Sequence, residues 1–187
     1  MGSADSQRGL TRLGATMDGI PLETARRFLA TLGVMQATKA YERWARADGF
    51  DMRDFESLLS ESPFVFTIDW RSALDEELEI IARSLARLDI TLETDLDEGG
   101  DSGFVSCVSG RRAAVSYGPT DDDFDDVFRG LQCVVPEGIE FRTATNNHGR
   151  DTWVYAVLTR VEWAELERLA PDVTSSLFRP LPPGRKS

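Results

Sequence analysis

A chain of 187 residues, 41% hydrophobic and carrying 10 Phe and 4 Trp, is long enough for one domain with a substantial core and too apolar for intrinsic disorder. Its formal net charge of −11 is concentrated in the middle, where residues 51–170 hold 26 Asp and Glu against 11 Lys and Arg, a net of −15, while both ends are slightly positive. An acidic body of this kind repels nucleic-acid phosphate and anionic membrane and attracts basic partners, so nucleic-acid binding and membrane association are not expected.

No apolar run approaches the roughly 18 residues of a membrane span, and the N-terminal stretch lacks the apolar centre of a secretory signal, so a soluble, cytoplasmic protein is expected. Cys107 and Cys133 are the only cysteines and form no CxxC pair. Two reduced, buried thiols are expected rather than a disulfide or a metal site.

In chain order, residues 1–19 scatter Gly, Ser and Asp without period and read as a flexible leader. From Pro21, which suits a first helical position, Leu22, Ala25, Leu29 and Leu32 share one face, and Gly33 is a stop. Ala37, Ala40, Tyr41, Trp44 and Ala45 mark a second amphipathic helix ended by Gly49, so residues 20–62 are predicted to form a helical hairpin appendage. After Pro63 the pattern changes to a strand over residues 64–70, a helix capped by Ser72 with Leu74, Leu78, Ile81 and Leu85 inward, and three strands over 90–96, 104–109 and 111–117. Thr120 opens a further helix whose core face is Phe124, Val127, Phe128 and Leu131.

The unit from Ile139 to Ala170 is the most complete. Two runs rich in Thr, Val, Phe, Trp and Tyr flank the loop Asn146 to Asp151 and predict a hairpin, and Thr159 with Glu162 has the spacing of a capping box for a helix bearing Trp163 and Leu166. The fold class expected is α+β, a largely antiparallel sheet with helices on one face over residues 63–170, preceded by the helical hairpin. The stretch 171–187, with Pro180, Pro182, Pro183, Arg185 and Lys186, reads as a Pro-rich basic tail, extended or disordered.

Several clusters invite a chemical role. Asp95, Asp97, Glu98 and Asp101 with Gly99 and Gly100 resemble a calcium loop, but the twelfth position is Ser106 where a bidentate Glu is required, so a solvated acidic loop is the better reading. Asp121, Asp122, Asp123, Asp125 and Asp126 exceed what a helix dipole calls for, which leaves a surplus for a basic partner or for solubility. His148 is the only histidine; Cys107, Arg150 and Asp151 are the nearest companions by type, yet no spacing assembles them into a catalytic group, and a turn or interface role is preferred. The chain has no GxGxxG, P-loop, GxSxG or HExxH motif. Trp163 is expected in the core, whereas strand alternation leaves Trp153 open to either core or surface.

The run Gly138 to Leu169, with its Glu140-Phe141-Arg142 strand, Gly149-Arg150-Asp151-Thr152 turn and Glu162-Trp163-Ala164-Glu165-Leu166 helix, resembles the C-terminal part of small acidic bacterial immunity proteins of polymorphic or contact-dependent toxin systems. These vary in fold and share no cofactor or catalytic residue. The resemblance implies a non-enzymatic cytoplasmic protein that occludes a basic cognate toxin. The expected contact residues are Asp95, Asp97, Glu98, Asp101, Asp121, Asp122, Asp125, Asp126, His148, Arg150 and Trp153, with no metal and no cofactor. The alternatives are a small hydrolase using His148 with a carboxylate or Cys107, and a small-ligand sensor whose N-terminal helices form a homodimer contact.

Overall fold

The structure, a computed structural model, describes residues 22–34, 59, 61–69, 71–107, 110–118, 124–145 and 152–182. The leader, the second predicted helix over 37–46, Thr120 with Asp121 to Asp123, and the loop 146–151 with His148 and Arg150 lie outside these residues.

Helix α1 (Leu22–Thr31) forms where apolar residues recur at helical spacing, and Ala25, Phe28, Leu29 and Leu32 are all fully buried. Its end is closed by Gly33 N–H donating to the Ala30 carbonyl at 2.9 Å and Val34 N–H to the Leu29 carbonyl at 3.0 Å, which satisfies carbonyls the helix cannot. Strand β1 (Val65–Asp69) follows, then α2 (Leu74–Ala86), with Leu74, Leu78, Ile81 and Leu85 inward. The N-cap of α2 is Ala73, not Ser72, and it makes no side-chain cap hydrogen bond.

Strands β2 (Leu92–Leu96), β3 (Ser102–Cys107) and β4 (Arg112–Ser116) make an antiparallel sheet in sequence order. Helix α3 (Asp125–Val134) leads to β5 (Ile139–Ala144) and β6 (Thr152–Thr159). Helices α4 (Arg160–Leu169) and α5 (Pro171–Leu177) and strand β7 (Phe178–Pro180) complete the order. The second sheet runs β1-β6-β5-β7, and every pairing in both sheets is antiparallel. The α+β class is as expected.

Helices cover both faces of the four-stranded sheet, not one. On one face Phe66, Phe141, Tyr155 and Val157 pack with the apolar sides of α2 and α3 and with Val105 and Val115 of the small sheet. On the other, Ala156 and Leu158 meet α1, α4 and α5 through Phe28, Leu29, Trp163, Leu166 and Leu177. The reason is visible in β6, where residues 153–158 are all apolar instead of alternating, as a strand buried on both faces requires. Helix α1 shares that second core, so in packing it is part of the same body and not an appendage.

The predicted capping box on α4 is present, with Thr159 Oγ1 accepting from Glu162 N–H at 3.1 Å and Glu162 Oε2 accepting from Thr159 N–H at 2.8 Å. It aims Trp163 inward, where Nε1 donates to the Glu140 carbonyl at 2.9 Å. Above the indole, at 4.3 Å, lies the Arg142 guanidinium, which bonds Glu140 and Glu167 at 2.7 Å each. These contacts tie β5 to α4.

The stretch from Pro171 is not an extended tail. Pro171 starts α5, where its missing N–H costs nothing; Thr174 Oγ1 donates to the carbonyls of Leu166 and Ala170 at 3.0 and 2.9 Å; and β7 adds an edge to β5, with Thr143 opposite Arg179. Phe178 meets Trp163 edge-on at 5.4 Å between ring centres. Phe178→Ala should therefore cost about 3–5 kcal/mol by urea denaturation, the range for emptying a core aromatic site. A dispensable tail would leave the transition midpoint unmoved.

Candidate functional site

Alternation along the small sheet sorts its side chains into two sets. Val105, Cys107 and Val115 face the core, whereas Asp95 stands opposite Phe104 and Phe104 opposite Ala114, with Ser106 opposite Glu93 and Arg112, on the outer face. Among the described residues no helix covers that face. Phe104 remains 42% exposed at its centre, with the Arg112 guanidinium 3.9 Å from its ring centroid and paired to Asp95. Gly103, beside it, has no room for a side chain, since a Cβ there would stand 2.3 Å from the Asp95 carbonyl.

The turn between β2 and β3 is held by Asp97. Its carboxylate accepts from the Ser102 hydroxyl at 2.6 Å, and that bond, helped by backbone amides of the turn, holds its carboxyl below the usual range. Asp97 thus stays ionised and oriented, with Glu98 and Asp101 exposed in the same turn. On the far side, Gly130 lets α3 settle against β4, because a Cβ at that position would come within 2.8 Å of Val115 and 3.2 Å of the Ala114 carbonyl. That approach brings Asp126, in the first turn of α3 and paired with Arg129, to the edge of the sheet. The result is an open groove of about 740 Å³ lined by Asp95, Asp97, Ser102, Phe104, Ser116 and Asp126.

Of the residues singled out in the sequence, the fold brings Asp95, Asp97 and Asp126 together and sets Glu98 and Asp101 in the adjoining turn. Two others turn inward. Asp125 is only 9% exposed and accepts a hydrogen bond from the Tyr155 hydroxyl at 2.8 Å, and Trp153, 9% exposed, belongs to the core. Neither can serve as a surface contact in this fold. Asp121, Asp122, His148 and Arg150 lie outside the described residues. Phe104 and Arg112 were missed, although the spacing of Phe104 from Val105 and Cys107 placed it on the side of Ser102 and Ser106.

Cys107 is buried, and burial pushes its thiol up, the opposite of what a thiolate nucleophile needs. Cys133 is exposed, contrary to the expectation of two buried thiols. Among the described residues no group of three or more His, Cys, Asp or Glu is placed to hold a metal ion, and no helix is long and apolar enough to cross a membrane. Comparison with known proteins yields no match, whether to a family model, a curated protein or a solved structure.

One more carboxylate is buried. Glu77, 3% exposed on α2, has a carboxylate oxygen, Oε2, with no hydrogen-bond partner. Burial pushes its carboxyl up, against the polar influence of the Ser72 side chain and the Asp69 backbone, and the neighbouring Glu76 and Asp69 charges add to the rise. The folded state therefore holds this proton more tightly than the unfolded chain, so Glu77 subtracts stability as pH rises from its ordinary value through the raised one. Glu77→Gln should remove that slope: in melts at about pH 4 and about pH 7 the variant gains on the wild type at the higher pH. Parallel curves would show that the carboxylate is solvated.

Asp125 and Asp126 offer a paired check on inward and outward placement. Asp125→Asn should cost about 1–3 kcal/mol in urea unfolding, because it disturbs a buried acceptor, whereas Asp126→Asn should stay within about 0.5–1 kcal/mol.

Proposed function

We propose that this is a non-enzymatic interaction protein of the immunity, antitoxin-like type, which binds and blocks a basic cognate toxin through the outer face of its small sheet. The observation that carries this reading is Phe104, a large aromatic 42% exposed on a sheet face that no helix covers among the described residues, in a groove also lined by Asp95, Asp97 and Asp126. An aromatic ring set among carboxylates offers a basic partner both an anchor and a field.

The two parts do different work. The carboxylates speed encounter with a basic partner and reject acidic ones, an effect that salt weakens. Phe104, once covered, slows departure. Asp95 is tethered by Arg112 and Asp97 by Ser102, so both are ordered before the partner arrives and lose little entropy on binding. The same charges disfavour phosphate backbones. Free Cys107 and Cys133 accord with a reducing, cytoplasmic setting for this role.

The test starts from a basic protein captured by affinity from the source cell and checked for loss of its toxic activity on mixing. The variant Asp95→Asn, Glu98→Gln, Asp101→Asn, Asp126→Asn should then associate about tenfold more slowly at low salt, with a flatter salt dependence. Phe104→Ala should dissociate roughly tenfold faster or more with little change in association. Wild-type and charge-neutralised proteins associating at equal rates at both salt concentrations would remove this face from recognition.

A further inference from the structure

One guanidinium already sits on Phe104. Arg112 reaches across from the row it shares with Ser106 and Glu93, places its guanidinium 3.9 Å from the ring centroid and bonds Asp95 at 2.5 Å. Ring and carboxylate together thus hold an arginine of the protein itself. The groove opens in the opposite direction along β3, where Ser102 stands opposite Ser116, and Arg112 takes no part in its lining. The ring therefore has an arginine on one side and open space on the other.

The carboxylates on the open side have acceptor positions to give. Both Arg129 bonds to Asp126, from Nε at 2.9 Å and from Nη2, end on Oδ1. Oδ2 accepts neither, and the side chain is 73% exposed, so a further donor can reach it. Across the sheet from it, Asp97 takes the Ser102 hydroxyl at 2.6 Å and is fixed in place. The floor between them is Ser102, Ala114 and Ser116, side chains too short to fill a groove of about 740 Å³. A long cation with a flat head suits that shape: its methylene stem lies over the small residues, its head meets the ring, and two of its nitrogens face one carboxylate. Lysine has the stem without the flat head, and its ammonium is a compact, strongly hydrated point charge.

We propose that the groove is an arginine slot, which takes one arginine side chain of the basic partner onto Phe104 with its guanidinium paired to Asp126 Oδ2. The inference rests on the reading of this groove as a site for a basic protein and narrows it: the group recognised is a guanidinium, not positive charge in general. Arg112 and Asp95 act as positioning residues, since their stack and ion pair restrict the ring before the partner arrives. Each exposed charge pair is weak on its own, so the preference for arginine comes from the ring.

The probes are two capped peptides of equal charge, Gly-Arg-Gly-Arg-Gly-Arg and its Gly-Lys counterpart, titrated at low salt into the full chain and followed by amide NMR. The arginine peptide should bind roughly twofold to fivefold more tightly than the lysine peptide, the ratio expected of one exposed cation–π stack, and should move the amides of Ser102, Phe104 and Ser116. Phe104→Leu keeps an apolar side chain without a π face and should bring the two affinities close together. Asp126→Asn, a surface change outside the packed core, should weaken binding of the arginine peptide. Equal binding of the two peptides to the wild type would overturn the arginine assignment and leave the basic-partner reading standing. An arginine preference undiminished in Phe104→Leu, arginine-peptide binding unaltered in Asp126→Asn, or shifts confined to amides outside the groove would overturn the slot. Failure of both peptides to bind at low salt would count against the basic-partner reading itself.

Discussion

Burial of strand β6 on both faces is the condition on which the fold rests. Tyr155 and Val157 point into one core and Ala156 and Leu158 into the other, and β1 and β5 close both edges of the strand. A strand so enclosed has no face for water, so each of its neighbours has to bring apolar surface, and each does. On one side Phe128 stacks on Tyr155 with ring centres 3.9 Å apart and also meets Phe141 at 5.4 Å, which makes α3 the main cover of that face. Tyr155 then carries its hydroxyl to Asp125, so the same residue that fills the core also satisfies a buried carboxylate.

The position of α3 decides the groove. Held over β6 by Phe128 and pressed against β4 at Gly130, the helix turns Asp125 inward and Asp126 outward, although the two are neighbours with the same side chain. Successive residues on a helix differ by about 100° in direction, enough to divide them between core and solvent. The small sheet spends its inner face on the core through Val105 and Val115, and its outer face retains an aromatic ring among charges. The groove is thus a by-product of core packing that exposes a chosen set of side chains.

Charge on the described surface is locally arranged as well as abundant. Arg142 is engaged with Glu140, Glu167 and the Trp163 ring, and Arg168 and Arg27 both meet Glu165, so these cations serve the join between sheet and helices. Near the groove Arg112 and Arg129 each hold one aspartate, while Glu98 and Asp101 stay exposed. The basic residues thus work mostly as fasteners, and the acidic excess is left to shape the field outside.

Local order was legible in the sequence where a single segment contains its own cause. The Thr159 and Glu162 capping box, the stripe of Leu74, Leu78, Ile81 and Leu85, the stripe of Phe124, Val127, Phe128 and Leu131, and the acidic turn around Asp97 are all written within a few residues, and the structure has each of them. The α+β class followed from the order of such segments. What the linear pattern did not settle depends on partners far along the chain. That both faces of the large sheet are covered, that Pro171 to Pro180 folds as helix and edge strand, that Trp153 and Asp125 are buried and that Phe104 is exposed all result from which distant surfaces meet. Periodicity assigns a residue to one side of a helix or strand. Only tertiary packing decides whether that side meets water, another layer of the fold, or a surface left for something else.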